Sequence, residues 1–314
     1  MVTVVKEKTA AKKTNTRESF VRKRGNALKQ ETQNELERFR DYLREQEKSS
    51  HTIEKYCRDV RKFLMFADED WDKNTIISFK EYLQAHYKTS SANSMLASLN
   101  SYFHFIGRQE YCVRTFRVQK RIFCDERQEM TRSDYQKLVK AARERGDERL
   151  CAILQTIAST GIRISELVGI NMEDINFSAN EFSVTRKGGN QDILVFGDEA
   201  RSALLNYMLE REQVDACPGH EDALFLSLQK KRITVRAVEN LVHKYAVIVT
   251  PQKKISPHKL RSTYGTNLYR ETGDIYLVAD VLGHKDVNTT RKHYAAVSQD
   301  NRRLAAKVVK LRDD

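Results

Sequence analysis

Apolar residues recur at helical spacing through the first third of the chain. From about residue 31 to 106 they fall three or four positions apart, the period of a helix with one buried face. The positions are Leu36, Phe39, Leu43, Ile53, Tyr56, Val60, Phe63, Phe79, Leu83, Leu96, Leu99, Phe103 and Ile106. This pattern predicts four short amphipathic helices that pack together as a compact bundle.

Two basic stretches without a clear apolar pattern flank this predicted bundle of residues 31–108. Lysine and arginine dominate residues 1–30, with only Glu7 and Glu18 opposing them, which predicts a flexible basic arm. Residues 109–128, after a helix-ending glycine, are again basic and weakly periodic. We interpret them as a linker between two domains.

Periodic spacing returns in residues 129–298, which we predict to be a second domain. Thr131 and Asp134 have the spacing of a helix capping box, and Leu150–Thr160 is an apolar helix that ends at Gly161. The signals in this part of the chain are thus those of helices with defined starts and stops.

The second domain also contains signals for a small sheet. Apolar and polar residues alternate from 181 to 186 and from 192 to 196 around a glycine turn, which predicts a β-hairpin. Ser256 and Gly273 then mark the beginning and end of another helix, and a further helix follows to Leu282. The predicted fold class is mainly α with a small β-sheet: a four-helix bundle followed by an α+β domain.

Composition adds an expected class of partner to this fold. The chain has 314 residues, of which 40% are hydrophobic, enough for two ordinary domains. Its formal net charge is +12 and its pI is about 9.4, so a polyanionic partner is expected. Charge alone does not distinguish DNA from RNA or from an acidic membrane surface.

Other sequence signals point to the cytoplasm. No stretch approaches the ~18 uninterrupted apolar residues of a membrane span, and the amino terminus lacks the apolar core of a secretion signal. The five cysteines are scattered without a C-x-x-C pair, so we expect reduced structural residues. Since H-E-x-x-H and compact carboxylate clusters are also missing from the sequence, we expect no metal and no other cofactor.

Four short pieces of the second domain contain residues suited to phosphate chemistry. They are Thr160-Gly161-Ile162-Arg163-Ile164-Ser165-Glu166-Leu167, Arg186-Lys187-Gly188-Gly189, His258-Lys259-Leu260-Arg261, and Leu282-Gly283-His284 with Tyr294 ten residues further on. Each piece alone has an ordinary structural interpretation, such as a surface ion pair or a turn lysine. In this order and at these spacings they resemble the tyrosine recombinase and integrase family, and the resemblance covers roughly residues 129–298.

That resemblance implies a DNA-clamping, SAM-like amino-terminal domain and a catalytic domain that cleaves and rejoins DNA through a 3′-phosphotyrosyl intermediate and a Holliday junction. Two guanidinium groups, on Arg163 and Arg261, suit the charge that develops on the non-bridging phosphate oxygens. Tyr294 is the expected nucleophile, and because a phenol has a reference pKa of about 10, it needs a base or positive surroundings. His258 and His284 are the candidates for that help.

Two supporting roles also follow from the resemblance. Lys187 is the expected proton donor to the departing 5′ oxygen, and Glu166 is expected to orient the helix of Arg163 or to bind a histidine. In many family members the tyrosine stands nine positions after the histidine of the Leu-Gly-His box; that position here is His293, which cannot form the phosphotyrosine bond. Tyr294, at ten residues, remains the expected nucleophile.

The biological role stays open between integration or excision of a mobile element, DNA inversion and resolution of chromosome dimers, with the tyrosine spacing favouring the first two. A type IB topoisomerase, a non-catalytic DNA-binding regulator and a metal-dependent nuclease are the alternative classes.

The expected partners are double-stranded DNA with paired recombination sites, further copies of the chain, and accessory DNA-bending or directionality factors; a nucleoid-associated cytoplasmic protein is expected. Residues 299–314 have Leu304, Val308 and Leu311 on one helical stripe. This tail helix either folds back on its own domain or passes to a neighbour to link a homo-tetramer on DNA.

Overall fold

A computed structural model describes residues 30–67, 71–118, 130–186 and 189–283, together with residues 287 and 290. The chain divides into two compact units, Met1–Lys120 and Arg121–Asp314. The predicted basic arm, up to residue 29, and the predicted tail helix of residues 299–314 lie outside the described residues. No helix in the described ranges is both long enough and apolar enough to cross a bilayer.

The first unit contains the four predicted helices. They are α1 (Gln30–Glu45), α2 (Ser50–Ala67), α3 (Lys73–His86) and α4 (Thr89–Phe105). Their predicted apolar positions form one core, in which Phe39, Phe63, Phe79 and Phe103 are fully buried. Tyr56 and Ile106 pack against the edge of that core. The predicted four-helix bundle is therefore confirmed.

The first half of the predicted linker packs on the bundle. A 3-10 turn at Gln109–Tyr111 follows α4, and Val113 and Phe116 contact the helical core. The Asn100 side chain makes two hydrogen bonds, of 2.9 and 3.0 Å, with the backbone of Val113, and Asn93 does the same for Phe116 at 2.9 and 2.7 Å. Residues 109–118 thus belong structurally to the first unit, a result that their weak periodicity did not indicate.

The second unit is mostly helical with a small antiparallel sheet. The helices are α5 (Arg132–Glu144), α6 (Glu148–Thr160), α7 (Ile164–Leu167), α8 (Asp198–Arg211), α9 (Val235–Val249), α10 (Pro257–Thr272) and α11 (Ile275–Val281). The strands are β1 (Ile175–Asn176), β2 (Glu181–Thr185) and β3 (Gln191–Val195), in the order β1-β2-β3. The predicted fold class is confirmed, and the short strand β1 adds a third strand to the predicted hairpin.

Helix α6 forms the centre of this unit. Every residue from Leu150 to Ile157 is buried, and α6 packs against both α8 and α10. A helix buried all round has apolar residues on every side instead of in one stripe, as the run Leu150–Leu154 does here. The helix ends at Gly161, whose φ of +62° lies in the left-handed region that glycine adopts most readily.

A capping box and an ion pair stabilise the beginning of the second unit. Thr131 and Asp134 form the predicted capping box, and Lys253 Nζ donates to Asp134 Oδ2 at 2.6 Å. Burial raises the pKa of the Asp134 carboxyl, but the hydrogen bonds from Lys253 and Thr131 outweigh it and lower the pKa to about 2. Ionised Asp134 therefore stabilises the folded state.

The lowered pKa of Asp134 predicts a pH-dependent stability. The contribution should be complete above the ordinary value of 3.8 and should be lost as the pH falls towards and through about 2. At neutral pH Asp134→Asn should cost up to about 2 kcal/mol, and its difference from wild type should shrink from pH 5 to pH 3. Urea unfolding followed by circular dichroism measures this; a difference independent of pH contradicts the assignment.

Candidate active site

The site begins at the tight turn between α6 and α7. A Cβ atom on Gly161 would lie 2.5 Å from Tyr264 Cδ1 and 2.7 Å from Leu282 Cδ2. Glycine is therefore required here for its backbone conformation and also for the close approach of α10 and the end of α11. Burial raises the pKa of the Tyr264 phenol, which keeps it neutral in this contact.

Arg163 follows this turn as the residue that caps α7. Its Nη1 donates to Glu166 Oε1 at 2.7 Å, and its backbone N–H donates to Glu166 Oε2 at 3.1 Å. Glu166 is buried with 4% of its side chain exposed, whereas Arg163 keeps 31% exposed. A buried carboxylate thus orients a guanidinium that still reaches solvent. Glu166 thus contacts Arg163, and its role in orienting the helix of Arg163 or in binding a histidine stays a prediction.

Arg261 lies three residues after His258 on α10 and is buried, with 6% exposed. Its Nη1 donates to the carbonyl oxygen of Gly161, and its Nη2 donates to that of Leu282 at 2.6 Å. His258, at the beginning of the same helix, is exposed. The guanidinium of Arg261 therefore connects the α6–α7 turn to the end of α11.

Arg186 brings the β2–β3 hairpin to the same place. Its Nε donates to Asp192 Oδ2 on β3, and its Nη2 donates to the carbonyl oxygen of Val281 at 3.3 Å. A Cβ atom on Gly283 would overlap the Arg186 guanidinium, so the guanidinium packs directly against that glycine. The sequence placed Arg186 next to Lys187 but gave no sign of this contact.

Three arginines thus donate to three successive carbonyl groups at the end of α11. Arg186 binds Val281, Arg261 binds Leu282 and Arg163 binds Gly283, the last at 2.8 Å. The final carbonyls of a helix have no partner within the helix and form the negative end of its dipole, so cations are stabilised there. The arrangement concentrates guanidinium groups, which suits a phosphate diester.

Three of the predicted site residues lie outside the described residues. They are Lys187 in the hairpin turn, His284 directly after Gly283, and Tyr294. The structure therefore brings together Arg163, Glu166 and Arg261, with His258 on the helix of Arg261. Their chemical roles remain predictions.

Fold and site together define the class of protein. A helical bundle precedes a domain in which three arginines lie close together, as a site for a phosphate diester requires. The "Phage integrase family" model matches residues 128–301, and the "Phage integrase, N-terminal SAM-like domain" model matches residues 36–110. The chain belongs to the phage integrase family, whose members are tyrosine recombinases. The predicted class of DNA strand-transferring, site-specific recombinase is confirmed.

Individual relatives agree with this assignment. Tyrosine recombinase XerC of Syntrophus aciditrophicus (strain SB) is 30% identical over 297 residues, which cover 84% of this chain and 92% of that protein. The XerH site-specific recombinase bound to palindromic difH substrate, a post-cleavage complex, has a TM-score of 0.67 at 17% identity over 81% of this chain and 79% of that chain. A lambda integrase tetramer bound to a Holliday junction has a TM-score of 0.64 at 16% identity, covering 83% and 76%. These two structures share the fold.

Proposed function

We propose that this recombinase breaks and rejoins DNA at paired sites through a covalent bond between Tyr294 and the 3′ phosphate. The observation that supports this most strongly is the convergence of Arg163 and Arg261 on the successive carbonyls of Gly283 and Leu282. Two neighbouring guanidiniums match the two non-bridging oxygens of one phosphate and stabilise the charge that develops there during attack. Tyr294 follows this helix end by a short segment of sequence.

The proposed reaction conserves the energy of the phosphodiester bond. The Tyr294 oxygen attacks phosphorus, a phosphotyrosyl bond forms, and the bond from phosphorus to the 5′ oxygen breaks. His258 or His284 accepts the phenol proton, and Lys187 gives a proton to the departing 5′ oxygen. A 5′ hydroxyl from the partner site then reverses these steps, which yields a Holliday junction. Glu166 takes no part in proton transfer and orients Arg163.

Two measurements test the proposed reaction. Sites are first selected from random-sequence duplexes by binding to the purified full-length protein. A covalent protein–DNA adduct that forms in EDTA excludes both the metal-dependent nuclease and the non-catalytic regulator. Transfer of strands between two such sites then distinguishes a recombinase from a type IB topoisomerase. No adduct on any selected site would contradict the proposal.

The proposed role of Lys187 predicts rescue by a better leaving group. Lys187→Ala should slow cleavage of an ordinary phosphodiester by about 10²–10⁴-fold, the usual contribution of a general acid. A 5′-bridging phosphorothiolate should restore most of the rate, since the sulfur leaves without a proton. Single-turnover adduct formation on both substrates measures the effect. If the sulfur gives no rescue, the acid is another residue, and His284 is the next candidate.

For biological role we propose integration and excision of a mobile element or inversion of a DNA segment. The proposal is supported by the ten-residue interval between His284 and Tyr294, with His293 at the ninth position. Similarity to XerC over most of the chain supports chromosome-dimer resolution as the second candidate. Inverted repeats flanking the gene, with rearrangement between them in vivo, would support the first role. Conversion of chromosome dimers into monomers by recombination at a single chromosomal site would support dimer resolution.

For assembly we propose a homo-tetramer on two DNA sites, linked by exchange of residues 299–314 between neighbours and served by accessory DNA-bending or directionality factors. Such an enzyme would act on the nucleoid in the cytoplasm. The apolar stripe of Leu304, Val308 and Leu311 supports an exchanged helix, because a helix this short must bury its stripe to be stable.

The exchanged tail predicts the effect of truncation. A chain that ends after Ser298 should stay folded and bind one DNA site, but it should not form the two-site complex or recombine a plasmid. Gel-shift titration and a plasmid recombination assay measure these properties. Wild-type recombination contradicts the exchange, and an insoluble product favours a tail that folds back on its own domain.

A further inference from the structure

Arg186 makes hydrogen bonds at the hairpin turn through both its backbone and its side chain. Its backbone N–H donates to the carbonyl oxygen of Asn190 at 2.7 Å, and its carbonyl accepts from Gly189 at 3.0 Å. Its side chain is 11% exposed, whereas its carboxylate partner Asp192 is 44% exposed. Burial of a guanidinium beside a half-exposed carboxylate costs desolvation energy, so this arginine is poorly explained by stability alone.

The other partners of Arg186 lie at the end of α11. Nη2 donates to the carbonyl oxygen of Val281, 95 residues away in the sequence. The guanidinium also occupies the space that a side chain at Gly283 would need, and Gly283 has a φ of +57°. Arg186 therefore binds Val281 and packs against Gly283, the two residues on either side of Leu282, whose carbonyl Arg261 binds.

The geometry of these peptides couples Arg186 to the other two arginines. Val281, Leu282 and Gly283 are consecutive, and each peptide unit between them is planar and rigid. A shift of the end of α11 as a whole therefore moves all three carbonyls, including the two that bind Arg261 and Arg163. A catalytic arrangement tolerates displacements of only about 0.5 Å, so the end of α11 must be fixed to keep both guanidiniums in place.

We propose that Arg186 is a positioning residue that fastens the β2–β3 hairpin to the end of α11 and so fixes Arg163 and Arg261 for cleavage. This inference rests on the proposed function of those two arginines as the phosphate-binding pair. Arg186 acts through them and makes no contact with the reacting atoms.

The test uses a substrate that lacks the charge for which the arginine pair is needed. A methylphosphonate at the cleaved position replaces one charged non-bridging oxygen with a methyl group, so misplaced arginines matter less. Arg186→Met keeps the length of the side chain and removes its charge and hydrogen bonds. We expect it to slow adduct formation on ordinary DNA by about 10²-fold, the effect of a small misplacement, and much less on the methylphosphonate. DNA affinity should stay close to wild type.

Arg211→Met is the matched control. Arg211 is 5% exposed in the same unit, and it donates to the carbonyl oxygens of Ala223, Val214 and Glu221. Its loss should lower the melting temperature and reduce both cleavage rates equally, in proportion to the folded fraction. An equal loss on both substrates for Arg186→Met would show a merely structural role and overturn the inference.

Two further variants separate the possible failures. If Arg186→Met does not fold, Asp192→Asn removes the charge of one partner of Arg186 at a half-exposed position, and it should show a smaller defect with the same substrate pattern. Arg163→Ala and Arg261→Ala serve as references and should both be rescued by the methylphosphonate. If they are rescued and the Arg186 and Asp192 variants are not, only this inference fails. If they are not rescued, the phosphate-binding pair itself is wrong and the inference falls with it.

Discussion

Tyr294→Phe is expected to abolish covalent adduct formation while DNA binding stays at the wild-type level. The change removes one hydroxyl group, and that oxygen is the atom proposed to attack phosphorus. A nicked substrate that loses the short 5′ fragment traps the adduct, because the fragment diffuses away before it can rejoin. Denaturing gel electrophoresis of the trapped product then measures cleavage, and a gel shift measures binding on the same DNA.

Two controls make this result specific. Tyr276→Phe removes the hydroxyl of a tyrosine that is 72% exposed on α11, and it should leave the adduct yield unchanged. His293→Ala changes the residue nine positions after His284, where many family members have the tyrosine. It should still form an adduct through Tyr294. An adduct that survives in Tyr294→Phe would refute the assignment, and peptide mapping of that adduct would identify the nucleophile.

The features that sequence predicted well are those set by short-range physics. Helical periodicity located the four helices of the bundle, because each amphipathic helix must bury a stripe of residues three or four apart. The capping pair Thr131 and Asp134, and the boundaries at Ser256 and Gly273, were also correct. Each depends on hydrogen bonds or backbone angles within one turn of helix. The resemblance to the recombinase family likewise depended on short motifs.

The features that sequence missed depend on contacts between distant segments. Arg186 and Val281 are 95 residues apart, and Arg261 and Gly161 are 100 apart. Neither pair has a periodic signal or a capping pattern. The packing of Val113 on the bundle was missed for a related reason. Asn100 binds the backbone of Val113, but in the sequence it cannot be told from an ordinary surface asparagine. Residues such as these are identified only after the fold places them together.

Arg261→Ala is expected to reduce cleavage more than any other change among the described residues. The substitution removes a donor to the developing phosphate charge, and loss of one such donor typically costs about 10²–10³-fold in rate. It also leaves the carbonyls of Gly161 and Leu282 without their guanidinium partner. A buried group that loses its hydrogen bond costs about 1–3 kcal/mol, so the folded state should be destabilised as well. Arg261→Lys keeps the charge but cannot bind both carbonyls as the planar guanidinium does.

The two effects of Arg261→Ala are separated by measurements on folded protein. Single-turnover cleavage at saturating protein, well below the melting temperature, reports the chemical step, and a gel shift on the same DNA reports affinity. Cleavage should fall far more than affinity, because the interaction strengthens as charge develops in the transition state. Arg211→Ala is the matched control: it removes an equally buried guanidinium that also donates to backbone carbonyls. It should destabilise the second unit without a specific loss of cleavage, whereas equal losses of binding and cleavage in Arg261→Ala would mean that Arg261 only positions the DNA.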